Sequence, residues 1–128
     1  MPTISIQHYD YHSPDDHRKV RIEELDEVFH SIDHSSPFTI SCEDEEAEKY
    51  LMIDVDGDYA LPEYLYEGTS YFLETSDEEE MLEMHVGGLL EEYPRRNMIP
   101  REQTLELIRR AYQDMDAAFY SYNWIPNE

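Results

Sequence analysis

Residues 38–75 read FTISCEDEEAEKYLMIDVDGDYALPEYLYEGTSYFLET, and this stretch decides the fold. Phe38, Ile40 and Cys42 alternate with Thr39 and Ser41, the period-two pattern of a strand with one buried face. Glu43 to Glu48 make an acidic turn, and a second strand runs from Lys49 to Val55. Asp56-Gly57 suits a tight hairpin turn, because glycine accepts the positive φ that such turns demand. Tyr59 to Tyr66 and Ser70 to Thr75 read as two more strands, separated near Gly68. The stretch is a meander of short strands with acidic turns.

Downstream, Glu78 to Glu80 make another acidic turn, and Met81 to Val86 form a fifth strand ending at Gly87-Gly88. Leu89 to Tyr93 extends the same sheet. Pro94 and Pro100 bracket a basic loop, Arg95-Arg96-Asn97-Met98-Ile99, and Pro100 marks the start of a helix, since proline is favoured in a first turn. Leu105, Ile108, Tyr112 and Met115 recur in it at helical spacing beside Ala111. Upstream, Ile22, Leu25, Phe29 and Ile32 fall on one face of an earlier helix that Ser35-Ser36-Pro37 ends. Before it, Thr3 to Tyr9 reads as an edge strand and Tyr11 to Asp16 as a loop. The expected fold is α+β: one domain over residues 1–128, an antiparallel meander of about five to six strands, and two main helices packed on one face.

The charge balance bounds the function. Against 31 Asp and Glu stand 9 Lys and Arg, a formal charge of −22. Such a field repels nucleic acid and anionic membrane and attracts basic proteins. A plain solubility coat is the competing reading, but it would intersperse the signs. Between Glu43 and Glu92 the only basic residue is Lys49, whereas arginines collect before the first helix and from Arg95 to Arg110. Tyr50, Tyr59, Tyr64, Tyr66 and Tyr71 sit among those acids, and tyrosine flanked by carboxylate suits an interface aimed at Arg and Lys. The expected contact set is therefore Glu43, Asp44, Glu45, Glu46, Asp56, Asp58, Tyr64, Tyr66, Glu67, Glu78, Glu79 and Glu80. About half of the strand tyrosines are expected in the core instead.

Other chemistries lack support. Asp54, Asp56 and Asp58 alternate around Gly57, but a calcium loop needs its glycine one position later, so a solvated hairpin tip fits better. His30 and His34 could share a helix face, yet no third zinc ligand is evident. Cys42 alone allows no internal disulfide and reads as a buried, inert thiol. No nucleophile elbow, phosphate loop or dinucleotide fingerprint occurs, so a hydrolase built on clustered carboxylates has no motif behind it. No cofactor, metal or catalytic residue is expected. The N-terminal residues lack a signal-peptide pattern, and the chain is expected to be cytoplasmic.

Val86-Gly87-Gly88, the segment from Glu92-Tyr93-Pro94-Arg95-Arg96-Asn97 to Ile99-Pro100, and the late Trp124 carry a resemblance. Over roughly Val20 to Trp124 the chain resembles the first-described immunity-protein family of bacterial polymorphic toxin systems. The resemblance implies a non-enzymatic antitoxin that binds a cognate toxin domain, often a nucleic-acid-targeting deaminase or a nuclease. Such toxins present basic clefts, and an acidic partner can occupy them. It also implies that Gly87, Gly88, Pro94, Arg95, Arg96, Pro100 and Trp124 are structural, leaving the acidic sheet to bind. The alternative is an acidic adaptor or nucleic-acid mimic that regulates a basic protein unrelated to toxins.

Overall fold

A computed structural model describes residues 2–9 and 17–127; the loop expected over Tyr11 to Asp16 lies outside them. The class is α+β, and the sheet is larger than the sequence suggested. The strands are β1 (Thr3–His8), β2 (His17–Val20), β3 (Phe38–Asp44), β4 (Lys49–Asp56), β5 (Tyr59–Tyr66), β6 (Thr69–Leu73), β7 (Met81–Val86), β8 (Leu89–Pro94), β9 (Ile99–Pro100) and β10 (Trp124–Pro126). Eight of them form one antiparallel sheet in the order β10-β6-β5-β4-β3-β1-β2, with β9 on the free half of β5. Strands β7 and β8 pair only with each other.

Register explains which side chains are inside. Ile6, Ile40, Ile53 and Pro62 lie abreast on neighbouring strands, and Ile4, Cys42, Leu51 and Tyr64 make the adjacent row. Both rows face the helices α1 (Leu25–Ser31), α2 (Gln103–Gln113) and α3 (Met115–Tyr120), which cover them with Leu25, Phe29, Leu107, Ile108, Ala111, Met115 and Ala118. Cys42 is buried as expected, and that burial pushes its thiol up to about 12. The opposite face is covered at one end by the β7–β8 hairpin, which packs Met84, Leu82, Val86 and Tyr93 on Leu61, Tyr59 and Phe72.

Four expectations are corrected. Strand β1 is not the edge: the four residues of β2 pair outside it, too few and too polar to show a period. Their Lys19 is the kind of residue that blunts an exposed edge. Leu89–Tyr93 does not continue the sheet, because the two-residue Gly87-Gly88 turn folds it back on β7. Pro100 opens no helix; it pairs with Tyr59, and α2 starts at Gln103. The helix expected to run through Met115 breaks at Asp114, whose extended backbone lets its carboxylate accept the amides of Asp116 and Ala117 and cap α3. Two main helices thus become three.

Several of the residues expected to be structural sit where elements meet. Trp124 is buried in β10, and its Nε1 donates to the Ala118 carbonyl at 3.2 Å. Pro94 ends β8, and the Arg96 carbonyl accepts from the Thr75 amide at 2.7 Å. Arg95 pairs with Glu78 and Glu80, both at 3.3 Å, and lies over the Tyr59 ring.

Candidate functional site

The twelve expected contact residues do not form one surface. Five of them meet at one end of the sheet. Asp44 pairs with Lys49, and Lys49 with Tyr66, so the β3–β4 and β5–β6 turns stand side by side. Glu43, Asp44, Glu45, Glu46 and Glu67 therefore converge, joined by Glu48. Two of these acids hold left-handed backbone, Glu48 at φ 55° and Glu67 at φ 50°. A non-glycine residue there costs about 1 kcal/mol or more. A turn that keeps glutamate where glycine would relax the chain favours charge over comfort.

Lys49 is the one cation that reaches this end, where it feels the charges of Glu67 and Asp44 but makes its close pair with Asp116. Lys49, the one basic residue between Glu43 and Glu92, turns inward: its Nζ lies 2.6 Å from Asp116 Oδ1 and over the Tyr66 ring. Elsewhere Arg18 and Arg21 hold Glu24, Arg109 holds Asp26, and Arg110 holds Glu106. Arg101 is buried against Phe29 and Phe38 and donates to the Gly57 carbonyl at 3.0 Å. Among the described residues, none of the six acids at this end has an ion-pair partner. Beside them on the face away from the helices runs the row Glu43, Tyr50, Leu65 and Ser70, in which Leu65 is exposed and Tyr50 half-buried.

Tyr64 and Tyr66 leave the expected set. Both share the phase of Leu51 and Lys49 and point at the helices. Tyr64 is 0% exposed, its hydroxyl donates to the Met115 carbonyl at 2.7 Å, and its ring meets Tyr66, Phe119 and Trp124 edge-on. Tyr66 stacks on Phe119 with centroids 4.1 Å apart and donates to Asp116 Oδ1 at 2.5 Å. That hydrogen bond holds its hydroxyl well above the ordinary tyrosine range. Of the strand tyrosines, half-buried Tyr50 lies beside these acids and one step out of phase, on the face away from the helices.

The remaining acids lie elsewhere and have partners. Asp58 meets His34 Nε2 at 2.8 Å, in the turn at the opposite end from Glu67. Glu78 and Glu80 are the carboxylates held by Arg95, while Glu79 between them is exposed. His30 meets Glu102 at 3.4 Å, so the two histidines look to different partners. Among the described residues no three His, Cys, Asp or Glu side chains are grouped as a metal would need.

The solvated tip expected at Asp54, Asp56 and Asp58 is also corrected. Asp54 is only 3% exposed and Asp56 half-buried, because both point from β4 at the hairpin. Asp56 Oδ2 accepts from the His85 amide at 2.8 Å and lies 2.9 Å from His85 Nδ1. Asp54 Oδ1 accepts from the Gly87 amide at 3.1 Å and the Thr39 hydroxyl at 2.6 Å. His85 and Gly87 are two apart, so these are the last outward-pointing amide of β7 and the first amide of the turn that follows it. The two aspartates thus do for β7 what a neighbouring strand would do, and they pin the hairpin down. Sequence alone offered the alternating Asp54 and Asp56 but not their target.

Burial, with the nearby charge of Glu63, raises the Asp54 carboxyl above its ordinary value, against the pull of its Thr39 and Gly87 hydrogen bonds. A raised folded-state value means the native chain holds this proton more tightly than the unfolded chain. Its contribution is therefore full below the unfolded value and is lost as pH rises through the folded one. Asp54→Asn keeps an acceptor oxygen and cannot ionise. Its stability relative to the natural chain is expected to climb as pH rises above 3.8, the ordinary aspartate value, by about 1.4 kcal/mol for each unit of elevation removed. Thermal melts of both proteins above that value check it; an advantage that shrinks with pH would contradict the buried, charge-averse setting.

No family model matches the chain, and no curated protein matches it. No helix among the described residues is long and apolar enough to cross a membrane.

Proposed function

We propose that the protein is an immunity protein: a non-enzymatic antitoxin that binds a basic toxin domain and neutralises it inside the producing cell. The resemblance around Gly87-Gly88 and the Pro94–Pro100 loop suggests the class. The observation that carries the reading is the distribution of charge: the chain's cations are largely paired with other carboxylates, while among the described residues the acids of the β3–β4 and β5–β6 turns make no ion pair. A surface of that kind attracts a cationic cleft over roughly a Debye length, about 8 Å in physiological salt. The binding surface of this reading is Glu43, Asp44, Glu45, Glu46 and Glu67, with Tyr50 and Leu65 beside them in place of Tyr64 and Tyr66. The toxin would be a nucleic-acid-targeting deaminase or a nuclease, whose own substrate is a polyanion.

The test is co-expression with the protein encoded beside this chain's gene. Rescue of growth and a co-purifying complex are expected. Reversing Glu43, Glu45, Glu46 and Glu67 to lysine is expected to weaken that complex about 100-fold, about 2.7 kcal/mol, and to flatten its salt dependence. A complex of unchanged affinity and unchanged salt slope would move the interface elsewhere. Turnover of a substrate by the purified protein alone would overturn the antitoxin reading.

A further inference from the structure

The β7–β8 hairpin has two edges, and they differ. The β7 edge is held near its turn by Asp54 and Asp56 of β4, which take the outward amides of Gly87 and His85. The β8 edge faces away from the sheet. Residues Leu89 to Glu92 are all exposed, Leu89 at 69% and Leu90 at 53%. Because Val86 and Leu89 flank a two-residue turn, they form a hydrogen-bonded pair, and the next pair, His85 with Leu90, does not. The amides and carbonyls of Leu90 and Glu92 therefore point outward. Among the described residues they have no hydrogen-bond partner.

We propose that β8 is a docking edge that accepts one extended, cationic segment of a partner protein as an added strand. The main-chain groups of Leu90 and Glu92 supply the ladder; Leu89 and Leu90 supply apolar area on the two faces. The carboxylates of Glu83, Glu91 and Glu92 lie along the same hairpin with no ion-pair partner among the described residues. They select the occupant: a second copy brings its own carboxylates on a chain of net −22, whereas lysine or arginine at alternate positions of an added strand falls on the one face that carries Glu92 and, across the hairpin, Glu83. The surface lies apart from the Glu43–Glu67 end, and its occupation does not depend on the partner being a toxin.

The test uses the full chain and a synthetic ten-residue peptide of alternating valine and lysine, titrated with amide shifts followed by NMR. Shifts centred on Leu90 and Glu92 are expected. Leu90→Pro deletes one outward amide without touching the β7–β8 ladder and is expected to weaken binding at least tenfold, with an unchanged circular dichroism spectrum. Glu92→Lys is expected to weaken it likewise, whereas Glu27→Lys, an equal charge change on exposed α1, leaves it unchanged. If an N-methylated peptide of the same charge binds equally well, attraction is merely electrostatic and strand addition is wrong. If the peptide instead breaks a concentration-dependent dimer, the occupant is a second copy and the proposal also fails. Failure here leaves the charge-reversal result at Glu43–Glu67 to stand or fall by itself.

Discussion

Tyr64→Ala is expected to lower the free energy of unfolding by about 3–5 kcal/mol, the range for deleting a fully buried aromatic side chain. The removed ring lies in edge-on contact with three other aromatic rings, on Tyr66, Phe119 and Trp124. None of them can fill the space alone, since Trp124 is tied to Ala118 and Tyr66 to Asp116. Tyr64→Phe keeps the ring and loses only the hydroxyl bonded to the Met115 carbonyl, which costs about 1 kcal/mol. Urea unfolding measures both. The pair separates two roles for this tyrosine. A core residue gives a large loss for alanine, a small one for phenylalanine, and no loss of partner binding by the folded phenylalanine variant. Normal stability with lost binding would return Tyr64 to the interface.

The second large effect is expected at the hairpin turn. Gly88 holds φ +85°, and a Cβ placed there would lie 3.0 Å from the Tyr9 ring. Gly88→Val combines left-handed strain in a β-branched residue with that collision and is expected to cost about 2–3 kcal/mol. Gly87 holds φ +60° with open space around its Cβ direction. Gly87→Asn should be nearly neutral, because asparagine tolerates this conformation and Asn-Gly is a favoured pair for such a turn. Its amide also remains available to Asp54. Thermal melting of the two variants checks the contrast. Equal losses would contradict both the backbone strain and the Tyr9 contact assigned to Gly88.

Several elements could be read from the sequence because each carried a local signal. The strands Phe38–Asp44 and Lys49–Asp56 are nearly as expected, since one phase of their alternation is apolar and Gly57 marks the turn between them. The first helix is found where Leu25 and Phe29 set its face. Failures came where local and distant demands differ. In Tyr59–Tyr66 both phases contain large apolar groups, Tyr64 and Tyr66 in one, Leu61 and Leu65 in the other, so the sequence left open which face held the tyrosines. Strand β2 is defined only by its pairing with β1, and β9 only by two residues against β5. The acidic end was legible as composition, but its assembly from two turns and its separation from Asp56, Asp58 and Glu78–Glu80 follow from register. Asp54 was the hardest case, an aspartate buried by a hairpin some thirty residues downstream (33 to Gly87).

How the hairpin is attached also bears on how this chain can change over generations. Had β7 joined the large sheet through a backbone ladder, every insertion or shift in β8 would have propagated into the register of β4 and β5. Instead it is fastened by two aspartates and a few apolar side chains on its inner edge. The outer strand is mechanically uncoupled from the sheet's hydrogen bonding. Leu89 to Glu92 can be rewritten residue by residue while the core registers stay fixed, giving a lineage a place to revise what it recognises without first having to refold.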